Sequence, residues 1–269
     1  MDARKLAQCY DEEVLPDWDA PFVDLLLEEF PDPLPVKAQL LEIGCTTGRL
    51  TECLMERLPE GGRLIAIEDV RELMEIARGK VAAFDRKRVF FKKEPADRIS
   101  FSDGTFDAVL SAGLAPVYGL ADVLGEVARL LKPDGAALLG VPMRGSFQEL
   151  LDIFREVLEK EDLFQVQNEL DRLTGRLPDR LQALRLLNEA GLVETRVGLR
   201  ERSLHFADAL DFLQAPLVRS HCLEQCLELI QDRSWREGVL AGMVRSLDTY
   251  FPDGIDLTLV LGRLSGTRP

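Results

Sequence analysis

Two glycines, Gly44 and Gly48, bracket a turn within residues 39–50, which read Gln-Leu-Leu-Glu-Ile-Gly-Cys-Thr-Thr-Gly-Arg-Leu. The acidic pair Glu68-Asp69 follows, with Glu68 twenty positions beyond Gly48. A glycine turn that joins a strand to a helix points unpaired backbone N–H groups at whatever lies above the strand's end. A carboxylate at that spacing closes the neighbouring strand, where nucleotide-binding βαβ units use it to accept hydrogen bonds from ribose hydroxyls. Together the two features read as a nucleoside site. Each alone also has a plainer reading: an ordinary βα loop for the glycines, and for the acids a cap by Glu68 and Asp69 on the following helix, a role Asp69 can fill while Glu68 binds. The dinucleotide fingerprint Gly-x-Gly-x-x-Gly fails at Thr46 and Arg49, and no Gly-Lys-Ser/Thr follows the turn. Pyridine-nucleotide and P-loop chemistry are excluded on that ground.

The elements that must hold these residues alternate strand and helix. Gln39 to Ile43 is a short apolar run closed by glycine, the pattern of a buried strand, and Leu50, Leu54 and Leu58 then share a helical face. Arg63 to Ile67 is a second strand, followed by a helical face of Leu73, Met74, Ile76 and Ala77. Val89-Phe90-Phe91, Phe106 to Ser111 and Ala136 to Val141 supply further strands. An amphipathic helix over Leu120 to Leu131 is stopped by Lys132-Pro133-Asp134-Gly135. This alternation predicts a parallel sheet covered on both faces, with the ligand outside the carboxyl ends of its strands. Upstream, Asp2 to Tyr10 and Pro21 to Phe30 read as helices before the stiff break Pro31-Asp32-Pro33-Leu34-Pro35. This piece, 1–35, is expected either as a lid that contributes Tyr10 and Trp18 or as packing alone.

Over residues 36–145 the chain resembles the class I S-adenosylmethionine-dependent methyltransferases, in their small-molecule, methyltransferase type 11-like branch. Leu41-Glu42-Ile43-Gly44-Cys45-Thr46-Thr47-Gly48 is similar to the family's first motif, and Glu68 matches its acidic second motif. Phe101-Ser102-Asp103-Gly104-Thr105-Phe106-Asp107-Ala108-Val109 and Arg129-Leu130-Leu131-Lys132-Pro133-Asp134-Gly135 resemble the approach to the fourth strand and the turn after the following helix. The resemblance implies a Rossmann-like α/β fold: a mostly parallel seven-stranded sheet with an antiparallel last strand, helices on both faces and a helical cap insertion. It implies S-adenosylmethionine as cofactor, with Gly44, Cys45 and Gly48 bordering the methionine part, and Glu42 and Thr46 in the same motif. Glu68 would hold the ribose, Asp69 would lie near the adenine edge and Ala96 beside the adenine, with Ser111 and Gly113 beneath the transferable methyl.

Two positions depart from the family. Glycine is usual where Thr46 stands, and a β-branched residue resists positive φ and adds bulk where the backbone approaches the ligand; if its φ stays negative, as its type prefers, Thr46 fits with its side chain turned away. An aspartate is common at Pro95, which offers neither that acceptor nor an N–H. Glu94 is then the candidate to reach the adenine.

The second half is mostly helical. Residues 146–176 read as a helical cap over the substrate, or else as a decoration or dimer surface. Residues 177–269 complete the sheet, with a helix from Leu177-Pro178-Asp179 to Ala190-Gly191 and strands over Val193 to Leu199 and Ile255 to Leu261. A helical excursion occupies 206–250. Methyl transfer is an in-line displacement on an already activated carbon, so no universal catalytic side chain exists to search for. The candidates are Tyr118, after the fourth strand, and His205 as a general base, with a structural histidine as the alternative for the latter. His221, Cys222 and Cys226 fall at helical spacing but lack a second cluster, so no metal site is expected.

Composition sets the remaining bounds. The chain has 269 residues, 46% of them hydrophobic, with a formal net charge of −14. Such a charge repels phosphate backbones, and Arg86-Lys87-Arg88 and Lys92-Lys93 read as solvated edges, so no nucleic-acid partner is expected. No apolar run spans a bilayer, and no membrane partner is expected. Five cysteines in apolar contexts suggest reduced thiols and a cytoplasmic protein. Two functions remain open. One is a methyltransferase acting on a small molecule or a carrier-tethered acyl substrate. The other is a catalytically inactive protein of the same fold serving as a protein-interaction module, with a protein partner or a homodimer. Glu42, Gly44, Gly48 and Glu68 favour the first, Thr46 and Pro95 the second.

Overall fold

The computed structural model describes residues 2–84, 87–114 and 119–269. Seven strands, β1 (Gln39–Ile43), β2 (Arg63–Glu68), β3 (Val89–Lys93), β4 (Phe106–Ser111), β5 (Leu131–Pro142), β6 (Val193–Phe206) and β7 (Ile255–Thr267), form one sheet in the order β3-β2-β1-β4-β5-β7-β6. β1 pairs in parallel with β2 and β4, β2 with β3, and β4 with β5, while β7 runs antiparallel to β5. This is the mostly parallel sheet that the sequence implies. Strand order reverses between β1 and β4, which makes the crevice beyond their carboxyl ends the natural ligand position.

The inner strands are apolar on both faces because helices cover both. Leu40, Leu41 and Ile43 of β1 are fully buried, as are Val109 and Leu110 of β4. α3 (Arg49–Arg57) buries Leu50, Cys53 and Leu54, α4 (Arg71–Lys80) buries Met74 and Ala77, and α5 (Leu120–Leu130) buries Val123, Leu124, Val127 and Leu130. Three strands run longer than their apolar cores. β5 begins at Leu131 rather than Ala136, since Leu131 already pairs with Phe106 across a register shift. β6 extends to Phe206 through exposed and half-exposed residues, and β7 to Thr267 through an alternation in which Gly262, Leu264 and Gly266 are buried but two of the three are glycines.

The chain divides into two compact units. The first comprises Met1–Pro142, Pro178–Arg200 and Leu261–Pro269. Besides the sheet segments it holds α1 (Ala3–Cys9), a π-helical turn (Tyr10–Val14), α2 (Asp19–Leu27) and, in the Pro178–Arg200 segment, a helix at Arg180–Glu189. α2 starts two residues before the expected Pro21, and the π-helical turn carries no signal in the apolar spacing. Phe22 of α2 lies against β5, for a Cβ built on Gly140 would stand 2.9 Å from its ring. Arg263 of β7 donates to the Leu25 carbonyl at 2.9 Å, which ties the end of α2 to the sheet.

The second unit comprises Met143–Leu177 and Glu201–Val260. In chain order it carries α6 (Gln148–Lys160) and α7 (Phe164–Thr174); the helix at Arg180–Glu189, which belongs to the first unit, is α8. The second unit continues with α9 (Ala209–Gln214), α10 (Pro216–Val218), a π-helical turn at Arg219–Leu223, α11 (Glu224–Glu228) and α12 (Arg233–Tyr250). α12 packs on α6 through Gly242, whose missing side chain leaves space that Val157 fills.

Candidate functional site

The turn after β1 is held open by backbone conformation. Gly44 and Gly48 have φ of 68° and 93°. A Cβ on Gly48 would lie 2.8 Å from the Ala77 Cα, because α4 packs directly on the turn. A Cβ on Gly44 would meet nothing within 4 Å, so this glycine borders open space. The Cys45 N–H donates to the Ile67 carbonyl at 3.0 Å and joins the turn to β2. Cys45 itself is buried with Ala66 and Ala77, and burial holds its thiol well above the usual range. It fills space rather than reacting.

Thr46 departs from its expected conformation. Its φ is 45°, in the left-handed region, not the negative φ that a β-branched residue prefers. Two hydrogen bonds hold it there. Its N–H donates to Glu68 Oε2 at 3.0 Å, and its Oγ1 donates to Asp19 Oδ1 at 3.3 Å. The side chain therefore faces the N-terminal segment.

Glu68 is 6% exposed, and its other oxygen, Oε1, accepts from the Val70 N–H at 2.9 Å. Glu68 thus takes the amide of Val70, just before α4, and Asp69 is exposed. Burial raises the Glu68 carboxyl to about 7, against the lowering effect of the two amides. Glu42 on β1 is 1% exposed and accepts from Thr51 Oγ1 at 2.7 Å, and burial raises it to about 8. A third buried acid joins them. Asp19 at the start of α2 is 2% exposed, and burial raises it to about 7 although the Tyr10 and Thr46 hydroxyls bond to it. Asp19 was illegible as a site residue in the sequence, where it falls before the apolar face of its helix and twenty-seven residues from Thr46.

At the end of β4, Ser111 is fully buried and Gly113 has φ of 66°. Trp18 Nε1 donates to the Gly113 carbonyl at 3.2 Å, and the indole meets Phe22 edge-on at 5.3 Å. The N-terminal segment therefore lies across the carboxyl ends of β1 and β4. Three buried polar atoms here lack a hydrogen-bond partner: Asp19 Oδ2, Thr47 Oγ1 and Ser111 Oγ.

The other candidates are placed differently. Glu94 is occupied by Lys92 Nζ at 2.6 Å and by the Ser100 N–H at 3.3 Å, so its carboxylate is turned to its own loop. Pro95 is exposed and Ala96 buried. Tyr118 lies outside the described residues. His205 belongs to the second unit, where its Nδ1 sits 2.8 Å from Asp256 Oδ1 with both side chains well exposed. Cys222 and Cys226 are buried with their sulfurs 3.9 Å apart, and His221 Nδ1 faces Ser220 Oγ. Among the described residues no group of His, Cys, Asp and Glu is placed to hold a metal ion. What the first unit assembles is a set of three buried carboxylates and two free hydroxyls beside an open glycine. That arrangement suits a ligand that is cationic and rich in hydrogen-bond donors.

Residues 40–135 match a family model described as "Methyltransferase domain". The chain is 32% identical, over 97 residues, to the demethylmenaquinone methyltransferase of Lactococcus lactis subsp. lactis, which covers 36% of this chain and 38% of that protein. Thus the chain spans well under half the length of the relatives it matches. Among solved structures, the YcgJ protein of Bacillus subtilis aligns with a TM-score of 0.59 at 15% identity, covering 93% of this chain and 98% of that one. Phosphoethanolamine N-methyltransferase 2 of Haemonchus contortus, solved with S-adenosyl-L-methionine, aligns with a TM-score of 0.55 at 16% identity, covering 92% of this chain and 52% of that one.

Proposed function

We propose that this chain, whose residues 40–135 match a family model described as a methyltransferase domain, is an S-adenosylmethionine-dependent methyltransferase acting on a small molecule or a carrier-tethered acyl group. The observation that carries the reading is Gly44: its positive φ disfavours a side chain, and the space a side chain would enter is empty, in the turn that joins β1, which carries buried Glu42, to the amide that bonds buried Glu68. The unpartnered Asp19 Oδ2, Thr47 Oγ1 and Ser111 Oγ fit a ligand that supplies their missing hydrogen bonds. In this reading Glu42, Gly44, Cys45, Thr46 and Gly48 surround the methionine part, Glu68 the ribose, Asp69 and Ala96 the adenine, and Ser111 and Gly113 the reacting end.

The cofactor, when bound, supplies a methyl carbon already activated by its sulfonium. The protein's share is alignment and exclusion of water. Trp18 over Gly113 serves the second purpose, since its indole is 1% exposed and closes the end of β4 to solvent. The buried acids raise the affinity of the crevice for a cation, because a nearby positive charge offsets the desolvation that otherwise neutralises them.

One observation favours the inactive, protein-binding alternative. Both oxygens of Glu68 are already engaged by backbone amides, Thr46 N–H and Val70 N–H, so a ribose must share or displace them. Calorimetric titration with S-adenosylmethionine and S-adenosylhomocysteine separates the two. Micromolar binding that weakens in Glu68→Gln is the expected result. Absence of both heat and thermal shift at millimolar ligand sinks the enzymatic reading.

A further inference from the structure

We infer that Asp19, contributed by the N-terminal helix α2 and not by the strands, receives the α-ammonium group of the cofactor's methionine part. The inference rests on the methyltransferase reading and specifies which residue selects the amino-acid end of the ligand.

Asp19 is joined to the glycine turn through Thr46, whose Oγ1 donates to Oδ1 at 3.3 Å. The Tyr10 hydroxyl also bonds this carboxylate, yet its other oxygen, Oδ2, is buried without a hydrogen bond of its own. Trp18, its neighbour in the chain, donates to the Gly113 carbonyl, which sets Asp19 between the turn after β1 and the end of β4. The two other unpartnered buried hydroxyls, Thr47 Oγ1 and Ser111 Oγ, belong to those same two segments. A buried carboxylate oxygen with no donor is costly, and it is the kind of atom a ligand completes.

The neighbouring acids are less available. Glu68 has both oxygens on backbone amides, and Glu42 Oε2 accepts from Thr51. A cation that acts on Asp19 from within the protein, Lys80, is itself paired with Asp11. Of the two positive groups on the cofactor's methionine part, the sulfonium carries no N–H or O–H, whereas the ammonium carries three N–H donors. An oxygen in need of a donor selects the ammonium. Thr46 acquires a role on this view: it stands where related domains have glycine, and its hydroxyl fixes the carboxylate that reads the ligand.

The test uses the full chain and three probes in calorimetric titration: S-adenosylhomocysteine, its analogue without the α-amino group, and 5′-deoxy-5′-methylthioadenosine, which lacks the whole amino-acid end. The unaltered protein is expected to bind the deaminated analogue about tenfold more weakly than S-adenosylhomocysteine, the size of one charge-assisted hydrogen bond. Asp19→Asn is expected to lose about the same factor for S-adenosylhomocysteine while binding methylthioadenosine within about twofold of the parent. Equal binding of S-adenosylhomocysteine and its deaminated analogue by the unaltered protein overturns the assignment without any variant. So does an Asp19→Asn protein that loses both S-adenosylhomocysteine and methylthioadenosine alike, for that is a structural effect. If the unaltered protein binds none of the three probes, the methyltransferase reading itself falls.

Discussion

The backbone amide of Thr46 donates to Glu68 Oε2 at 3.0 Å, so the turn after the first strand and the acid closing the second form one hydrogen-bonded piece. Thr46 holds a left-handed φ of 45° to make that bond. For a β-branched residue this conformation costs about 1–2 kcal/mol. Thr46→Gly relieves that cost but loses the hydroxyl bond to Asp19 and adds glycine's entropy in the unfolded chain, together of similar size at roughly 1–2 kcal/mol. Urea denaturation is expected to find the variant within about 1 kcal/mol of the parent. A loss of several kcal/mol would mean that the Thr46 side chain, not its amide, holds the turn.

Gly48 tolerates less. With φ of 93° and Ala77 Cα 2.8 Å from the position of a Cβ, Gly48→Ala must push α4 off the turn. Overpacking of this kind costs about 1–3 kcal/mol, and Gly48→Val more. Chemical denaturation and titration with S-adenosylhomocysteine should register both a lower midpoint and lost binding; unchanged values would show that α4 yields freely.

Stability without ligand should fall as pH rises. Folded Asp19, Glu42 and Glu68 titrate at about 7, 8 and 7 because burial disfavours their charged forms. In the unfolded chain such groups titrate near about 4. Between those limits the folded state binds more protons, so the slope of unfolding free energy against pH is negative. The contribution of these groups is complete below about pH 4 and lost as pH passes through 7 to 8. Urea midpoints at about pH 5.5, 7 and 8.5 should decline in that order, less steeply in Asp19→Asn.

Trp18→Phe keeps most of the apolar packing but removes the donor to the Gly113 carbonyl. Leaving a buried acceptor unsatisfied costs about 1–3 kcal/mol. A melting temperature equal to the parent's would mean that water replaces the indole N–H and that the segment is less tightly seated than its burial implies.

His205 and Asp256 form an exposed pair, and exposed pairs contribute roughly 0–1 kcal/mol. His205→Ala should leave stability within that range. Retention of methyl transfer by the variant would remove His205 as a general-base candidate.

The buried strands were legible because their chemistry is local: Gln39 to Ile43 and Phe106 to Ser111 coincide with the observed β1 and β4. The Asp179 turn also reads locally, since its side chain caps the Gln182 amide at the start of α8 in a reciprocal capping box. What could not be read depends on tertiary contact. The conformation of Thr46 is decided by Glu68 and Asp19, neither of them near it in the chain, and these override its intrinsic preference. Glu94 stands beside Pro95 in the sequence and so reads as its substitute toward the adenine, whereas Lys92 and Ser100 engage its oxygens. The outer halves of β6 and β7 carry too little apolar signal for their length to be seen.

The place of β7 between β5 and β6 has a consequence for synthesis. The sheet cannot close until Ile255–Thr267 has left the ribosome, because this strand stands between two that precede it in the chain. Until then β5 and β6 both present raw edges to the crowded cell.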